Sequence, residues 1–259
     1  MKGPLERRTA VVTGVSRRTG IGFATARRLS TSGASVFVHS WVHEDEFSDA
    51  VELDATLAEL RQGASSIGHQ EADFADPESP ARVIAPARET FGHLDILVVN
   101  HTRSRHRSLS ELTVEEIDAH LHVNVRASLL LVKEFAEQHD GRLGGRVVLF
   151  TSGQHLAPMR SEVPYAVSKG AIHQATLTLS DELIDCGITV NTVNPGPTDT
   201  GWAIKDVDPS PVMPLGRWGH PDDAARLVAW LCTDDASWIT GQVIDSEGGF
   251  RRWAPRERT

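Results

Sequence analysis

The sequence predicts a doubly wound α/β fold, in which a seven-stranded, mostly parallel sheet carries helices on both faces. Short apolar runs alternate with longer segments of helical periodicity along the chain. The runs Ala10–Val12 and Ile96–Val99 are continuously apolar, as expected for strands that are buried on both faces. Gly33 stands where a helix C-cap glycine belongs, directly before the second apolar run.

The predicted elements follow one another in regular alternation. The strand candidates are Thr9–Thr13, Ser35–Ser40, Gly68–Asp73, Leu94–Asn100, Arg146–Ser152, Ile188–Asn194 and Gln242–Asp245. The helical segments are Gly20–Thr31, Asp49–Arg61, Pro77–Phe91, Thr113–Gln138, Pro164–Asp185 and Pro221–Cys232. Because no repeat or linker-like composition interrupts the series, we expect one domain over residues 1–259. Residues 201–218 form the longest irregular insertion and are a candidate substrate lid.

Composition narrows the class of function. The net charge of −9 and the sequence pI near 5.7 argue against non-specific nucleic-acid binding and against attraction to anionic membranes. No apolar run is long enough to span a bilayer, and the N-terminal stretch lacks the apolar segment of a signal peptide. With only two cysteines, a reducing cytoplasm is the simplest location. The histidines and cysteines show no metal-ligand spacing, so no metal site is predicted.

The first strand candidate runs into a glycine-containing loop that precedes a helix. Its glycines are Gly14, Gly20 and Gly22, and glycine lets a backbone turn tightly and approach a pyrophosphate at a helix N-terminus. The spacing G-x5-G-x-G differs from the G-x-G-x-x-G fingerprint of Rossmann-type dinucleotide-binding folds. We therefore predict a phosphate loop, and a turn without a ligand is the alternative.

The choice between NADP(H) and NAD(H) depends on the end of the second strand. A free ribose 2′-hydroxyl usually meets an acidic side chain there. The strand end Val38–Trp41 contains no carboxylate, and the first one after it is Glu44. Arg17 and Arg18 in the loop could instead contact a 2′-phosphate. NADP(H) is therefore favoured, and NAD(H) stays possible.

Tyr165 and Lys169 lie four residues apart in a segment of helical periodicity, which places them on one face of a helix. At an effective dielectric constant of about 20, unit charges about 4 Å apart interact by roughly 4 kcal/mol. An ammonium group beside the phenol is therefore predicted to lower its pKa from about 10 toward neutrality. Tyr165 is thus a candidate proton donor for carbonyl reduction.

Ser152 stands thirteen residues before Tyr165. With the glycine loop, Ser152, Tyr165 and Lys169 in place, the chain resembles the short-chain dehydrogenase/reductase family from Thr9 to about Gly249. The stretches at 214–225 and 239–242 are most similar to bacterial 3-oxoacyl-[acyl-carrier-protein] reductases and their relatives. The resemblance implies an NAD(P)(H)-dependent oxidoreductase that interconverts a ketone and a secondary alcohol by hydride transfer. A 3-oxoacyl thioester is one candidate substrate, and a homotetramer is the expected assembly.

The resemblance also implies a role for each matching residue. Tyr165 is expected to be the general acid/base, and Lys169 to lower its pKa and hold the nicotinamide ribose. Ser152 is expected to orient the substrate carbonyl, and Asn124 to hold a water molecule in a proton relay. The predicted catalytic residues are thus Asn124, Ser152, Tyr165 and Lys169. The predicted cofactor-binding residues are Gly14, Ser16, Arg17, Arg18, Gly20, Ile21, Gly22, Ser40, Asp73, Phe74, Asn100, Tyr165, Lys169, Pro195, Gly196, Thr198 and Thr200.

Three departures from the family pattern stand out. The glycine loop is two residues longer than the common T-G-x-x-x-G-x-G, which leaves its phosphate contacts undefined. After the fourth strand the usual Asn-Asn-Ala-Gly reads Val99-Asn100-His101-Thr102, so a Cβ replaces a glycine where the backbone would approach the ribose. The usual Val-Asp-Gly-Gly near the C-terminus reads Ser246-Glu247-Gly248-Gly249, and we expect this change to affect a subunit contact.

The substrate side is less defined by sequence. Residues 101–108 form a basic segment in an acidic chain, so Arg103, Arg105 or Arg107 could attract an anionic or carrier-bound substrate, with a solvated loop as the alternative. The residues expected to line the pocket near Tyr165 are Gln154, His155, Met159 and Glu162. Two other functions stay open, namely a non-redox isomerase or dehydratase on the same fold, and a cofactor-binding regulator without turnover.

Overall fold

The computed structural model describes residues 3–41, 50–63, 66–201 and 207–253. Its strands are β1 (Thr9–Val12), β2 (Ser35–Ser40), β3 (Ile67–Glu71), β4 (Ile96–Val99), β5 (Gly145–Phe150), β6 (Ile188–Asn194) and β7 (Val243–Asp245). Its α-helices are α1 (Ile21–Thr31), α2 (Ala50–Gly63), α3 (Ser79–Phe91), α4 (Val114–His120), α5 (Ala127–Gln138), α6 (Val163–Ile184) and α7 (Pro221–Leu231).

The seven strands form one sheet in the order β3-β2-β1-β4-β5-β6-β7. Each neighbouring pair is parallel, so the mostly parallel sheet predicted from the sequence is wholly parallel among the described residues. The chain order reverses between β1 and β4, and this is the point at which open α/β sheets bind ligands beyond the carboxyl ends of their strands.

Two apolar layers cover the sheet. Successive residues of a strand point to opposite faces, and β1 shows this directly, because Ala10 and Val12 join one buried cluster and Val11 joins the other. Helices α1, α2 and α7 pack on the first face, and α3, α5 and α6 pack on the second. Burial on both faces explains why Ala10–Val12 and Ile96–Val99 are continuously apolar.

The largest departure from the predicted elements lies in the segment Thr113–Gln138, which was expected to be one helix. It is divided into α4, a π-helical turn at Leu121–Arg126 and α5. The other elements match their predicted positions within a few residues, and their ends shift because apolar patterns define strand centres better than strand ends. No helix among the described residues is long and apolar enough to cross a bilayer.

Candidate active site

A cavity of about 760 Å³ opens at the carboxyl edge of the sheet, beside β1 and β4. The predicted site residues that line it are Gly14, Ser16, Arg17, Gly20, Ile21, Asp73, Phe74, Asn100, Ser152, Tyr165, Pro195, Gly196, Thr198 and Thr200. The predicted site residues outside its lining are Arg18, Gly22, Ser40, Asn124 and Lys169. Segments that are far apart in sequence thus meet at one opening, as the parallel topology requires.

The glycine loop is packed too closely for side chains at two positions. Gly14 has a φ of +73°, and a Cβ there would lie 2.8 Å from the His101 Cα atom. A Cβ at Gly22 would lie 2.3 Å from the Gly14 carbonyl oxygen. Gly20 precedes α1, no side chain caps this helix start, and Gly20 and Ile21 line the cavity. These features fit a bound pyrophosphate.

The two loop arginines have different surroundings. Arg17 is half-buried and lines the cavity. Arg18 instead points to α2, where its Nη1 atom lies 3.4 Å from the Glu59 carboxylate. Arg18 thus does not line the cavity, because a carboxylate on the neighbouring helix attracts it, and its contact with the cofactor stays a prediction.

The end of β2 also differs from its predicted role. Ser40 is buried, and its hydroxyl lies 2.8 Å from the His69 Nε2 atom, so it does not line the cavity as expected. Trp41 lines the cavity in its place, and its backbone amide donates to the Ser16 hydroxyl over 3.2 Å. Side chains of neighbouring strand residues point to opposite faces of the sheet, so the side chains of Ser40 and Trp41 point in opposite directions.

Two histidines that no motif singled out form part of the cavity wall. The ring of Phe74 lies between them, with ring centroids 4.0 Å from His39 and 4.2 Å from His101. Burial lowers the pKa of His39 to about 4, and burial likewise holds the pKa of His101 well below its usual value. Both rings are thus neutral at physiological pH, and each donates its Nε2 proton to a backbone carbonyl, at Ala72 and Val123 respectively.

Ser152 and Tyr165 meet at the inner end of the cavity. Ser152 follows β5, Tyr165 lies in the first turn of α6, and both line the cavity. Burial raises the pKa of Tyr165 to about 12, and the nearby Ser152 hydroxyl only partly opposes this.

The predicted lowering of the Tyr165 pKa by Lys169 is therefore wrong for this geometry. The Lys169 Nζ atom lies 5.8 Å from the centre of the Tyr165 ring and donates a hydrogen bond of 3.0 Å to the Phe150 carbonyl. Burial lowers the pKa of Lys169 to about 8. Desolvation of the phenolate thus outweighs the attraction of an ammonium group at this distance.

Asn124 lies in the π-helical turn, where its side chain is buried and fully engaged. Its Oδ1 atom accepts from the Arg103 amide over 2.7 Å, and its Nδ2 atom donates to the Arg103 carbonyl and to the Ser168 hydroxyl, both over 2.9 Å. The Asn124 side chain thus clamps the loop after β4 onto α6, and its expected part in a water-mediated proton relay stays a prediction. π-Helical turns are frequent at functional sites, and this one brings Asn124 under the cavity.

Comparisons with known proteins identify the family. A family model described as enoyl-(acyl carrier protein) reductase matches residues 14–251. The uncharacterized oxidoreductase YjdA of Bacillus subtilis is 38% identical over 251 residues, which cover 95% of this chain and 98% of YjdA. A solved short-chain dehydrogenase/reductase from Serratia marcescens is 32% identical, covers 96% of this chain and 99% of its own, and superposes with a TM-score of 0.86. The chain belongs to the short-chain dehydrogenase/reductase family.

A second solved structure concerns the cofactor. A short-chain dehydrogenase from Burkholderia cenocepacia, solved in complex with NADP, is 35% identical to this chain over 95% of its length and 98% of its own, with a TM-score of 0.84. Short-chain dehydrogenases/reductases use nicotinamide cofactors, and the cavity described here has the tight glycine loop and uncapped helix start that such a cofactor needs.

The segment after β6 closes the other side of this short-chain dehydrogenase/reductase cavity. Gly196 has a φ of +65°, and a Cβ there would meet the Glu247 Cα atom at 2.9 Å. The Thr19 hydroxyl donates to the Thr200 carbonyl over 3.0 Å, which ties this segment to the glycine loop. Glu247, at one of the departures from the family pattern, accepts from the Asn194 side chain over 2.7 Å and pairs with Arg252. These contacts lie within one chain, so the expected effect on a subunit contact stays a prediction.

On the substrate side, two of the four predicted lining residues reach the cavity, namely Met159 and Glu162. The other two were predicted wrongly. Gln154 turns back and accepts from the Ser152 amide over 3.2 Å, and the His155 Nε2 atom lies 3.2 Å from the Asp245 carboxylate. The short 3₁₀ turn at Gly153–His155 directs both side chains away from the opening.

One carboxylate pairs with two arginines of the basic segment and offsets part of its charge. Arg103 and Arg105 line the cavity, whereas Arg107 does not. The Glu116 carboxylate lies 3.1 Å from Arg103 and 3.6 Å from Arg107. The net positive charge that this segment offers to an anionic substrate is therefore smaller than its composition suggests.

The second departure, Thr102, also lines the cavity. Among the described non-glycine residues, positive φ angles occur at Arg7 and Ser161, and Thr102 has none. The replacement of glycine by Thr102 thus introduces no backbone strain.

Proposed function

We propose that this short-chain dehydrogenase/reductase interconverts a ketone and a secondary alcohol, with NADP(H) as the preferred cofactor and Tyr165 as the general acid/base. The observation that carries the proposal is that Ser152 and Tyr165 lie together in the same cavity as the glycine loop, with the Ser152 hydroxyl lowering the pKa of the phenol. A proton donor is thus positioned where a nicotinamide cofactor would bring its reactive end.

The cofactor assignment rests on the fit of the cavity residues. The uncapped start of α1 and the glycines at 14 and 22 suit a pyrophosphate, and Asp73 and Phe74 suit the adenosine end. Arg17 suits a 2′-phosphate, since a guanidinium group recognises phosphate oxygens in pairs. When bound, the cofactor supplies or accepts the hydride. The Burkholderia relative with NADP supports the preference, and NAD(H) is the alternative.

The chain's own groups handle the proton. With a pKa raised to about 12, Tyr165 is protonated at neutral pH and can donate to the oxygen of a carbonyl as negative charge develops there. Ser152 lies beside it and can donate a second hydrogen bond to that oxygen. Ketone reduction needs Tyr165 in its protonated form, which is the form present at neutral pH, so ketone reduction is the direction we propose. We place Lys169 at the cofactor ribose and keep Asn124 as a positioning residue.

Substrate, lid and assembly are part of the same proposal. A 3-oxoacyl thioester or another carrier-bound ketone stays a candidate because residues 214–225 and 239–242 resemble 3-oxoacyl-[acyl-carrier-protein] reductases. Residues 201–218 are proposed as a lid; of these, 202–206 lie outside the described residues. We propose that the protein is a cytoplasmic homotetramer. The exposed apolar residues Val167 and Leu177 on α6 agree with a helix that packs against another subunit.

A ketone screen tests the proposal. The purified protein is mixed with NADPH or NADH and a panel of ketones that includes acyl thioesters, and nicotinamide absorbance is followed in both directions. Oxidation of NADPH that depends on the ketone supports the proposal. Turnover of an isomerisation or dehydration substrate without net change in nicotinamide would instead support the non-redox alternative, and cofactor binding without any turnover would support the regulatory one.

A further inference from the structure

A second ionisable side chain, Glu162, shares the inner end of the cavity with Tyr165. Glu162 directly precedes α6 and lines the opening together with Met159. Its side chain is only 22% exposed. Among the described residues that line the cavity, carboxylates occur only at Glu162 and at Asp73, and Asp73 belongs to the proposed adenosine end.

The carboxylate of Glu162 makes few polar contacts with the described residues of the fold. Glu162 occupies the N-cap position of α6 but makes no side-chain capping hydrogen bond. Within the part of the chain that the structure describes, its charged partner is His106, whose Nδ1 atom lies 3.7 Å away and whose side chain is 63% exposed. A partly buried carboxylate that neither caps a helix nor forms a close ion pair is available to a ligand.

The backbone holds Glu162 in this position at the expense of strain. Ser161, the residue before it, has a φ of +63°, which non-glycine residues rarely adopt. Two backbone hydrogen bonds fix the segment. The Arg107 amide donates to the Ser161 carbonyl over 2.7 Å, and the Val163 amide donates to the Arg107 carbonyl over 3.2 Å. Strained residues of this kind persist where surrounding structure over-determines them, and they cluster at ligand sites.

The electrostatics point to a missing hydrogen-bond donor. Burial raises the pKa of the Glu162 carboxyl, with His106 opposing this, and the Glu162 charge in turn contributes to the raised pKa of Tyr165. The neighbouring cation Arg103 is already paired with Glu116 at 3.1 Å. A substrate group that donates to the Glu162 carboxylate would restore the solvation lost on burial.

We propose that Glu162 accepts a hydrogen bond from a hydroxyl or ammonium group near the reacting carbonyl of the substrate. Glu162 thereby selects ketones that carry such a donor and disfavours ketones that carry a carboxylate. This inference rests on the proposed ketone reduction and names its substrate class.

A matched pair of ketones tests the role of Glu162. In 1-hydroxybutan-2-one a hydroxyl group replaces one methyl group of pentan-3-one, so the two substrates are nearly equal in size. Hydrogen bonds to charged groups predict that the wild type prefers the hydroxyketone by roughly tenfold or more in kcat/KM. In Glu162→Leu we expect this ratio to fall close to one, mainly through KM. An unchanged ratio in Glu162→Leu overturns the proposal.

A second variant keeps the test decisive if the leucine variant fails to fold. Glu162→Gln keeps the shape and removes the charge, so we expect kcat/KM for 4-oxopentanoate, which carries a carboxylate, to rise roughly fivefold or more. Glu89→Gln removes a charge from the exposed side of α3 and serves as the matched control, for which neither substrate ratio should change. If Glu162→Gln leaves both the hydroxyketone preference and the 4-oxopentanoate rate at wild-type values, Glu162 has no such role.

The outcomes separate this inference from the proposed function. Reduction of pentan-3-one that is lost in Tyr165→Phe, together with substrate ratios that do not depend on Glu162, would overturn the role of Glu162 alone. Absence of turnover with every ketone would overturn both.

Discussion

The acidity of Tyr165 depends on two opposing effects within a few ångströms of its phenol. Protein on most sides of the ring removes the water that would stabilise a phenolate, while the nearby Ser152 hydroxyl stabilises it. Lys169, which the sequence placed beside the phenol, directs its ammonium group to the Phe150 carbonyl. Sequence spacing can show that two side chains share a helix face. The pKa of Tyr165 is set mainly by burial, which is a tertiary property that spacing does not show.

Arg17 gives a prediction at the residue scale, because it lines the cavity whereas Arg18 pairs with Glu59. Arg17→Gln removes a charged hydrogen bond to the 2′-phosphate, so we expect it to raise the KM for NADPH by roughly 10- to 100-fold. The KM for NADH should change by less than about threefold, since NADH has no 2′-phosphate.

Arg18→Gln is the matched control, and both KM values should stay within about twofold of wild type because this side chain pairs outside the cavity. Steady-state kinetics with a fixed ketone measure these effects. An equal loss for both cofactors in Arg17→Gln, or a larger loss in Arg18→Gln, would contradict the assignment.

At the scale of elements, the sequence predicted what depends on local pattern. Continuous apolar runs such as Ile96–Val99 located the strands, and glycines located the turn into α1. The π-helical turn at Leu121–Arg126 was not predictable, because its apolar spacing continues that of the flanking helices. The wall of His39, Phe74 and His101 was missed for a related reason. Its members come from three strand ends, and no local motif connects them.

Asn124 connects three elements, since its amide joins the loop after β4 to the π-helical turn and to α6. Asn124→Ala leaves the buried amide and carbonyl of Arg103 without these partners, so we expect the free energy of unfolding to fall by roughly 1–3 kcal/mol. Urea denaturation measures the change. Ser168→Ala removes one of the contacts and should show a smaller loss. Wild-type stability in Asn124→Ala would show that the clamp contributes nothing.

At the scale of the whole molecule, the buried neutral histidines link stability to pH. Burial lowers the pKa of His39 to about 4 and holds that of His101 well below its usual value, while both titrate near their ordinary value when unfolded. The unfolded state therefore binds more protons as the pH falls below about 6.5, and stability decreases with it. Above that pH both states are neutral at these positions, so this contribution is constant.

His39 contributes a slope of about 1.36 kcal/mol per pH unit between roughly pH 6 and pH 4. His39→Gln should reduce the dependence of the unfolding free energy on pH by about that amount, because glutamine does not titrate. Urea denaturation between pH 7.5 and pH 5 compares the two proteins. Parallel curves for wild type and His39→Gln would mean that His39 is not buried as a neutral ring.

The proposed ketone reduction depends most on Tyr165 as its proton donor. The direct measurement is kcat/KM for NADPH-dependent reduction of one ketone from the screen, in wild type and in Tyr165→Phe, with NADPH affinity measured in parallel by fluorescence. Phenylalanine keeps the ring and removes the proton, so we predict a loss of roughly 10²- to 10⁴-fold with NADPH affinity nearly unchanged. Turnover by Tyr165→Phe within about threefold of wild type would contradict the account, because a loss that small is outside what general acid catalysis contributes.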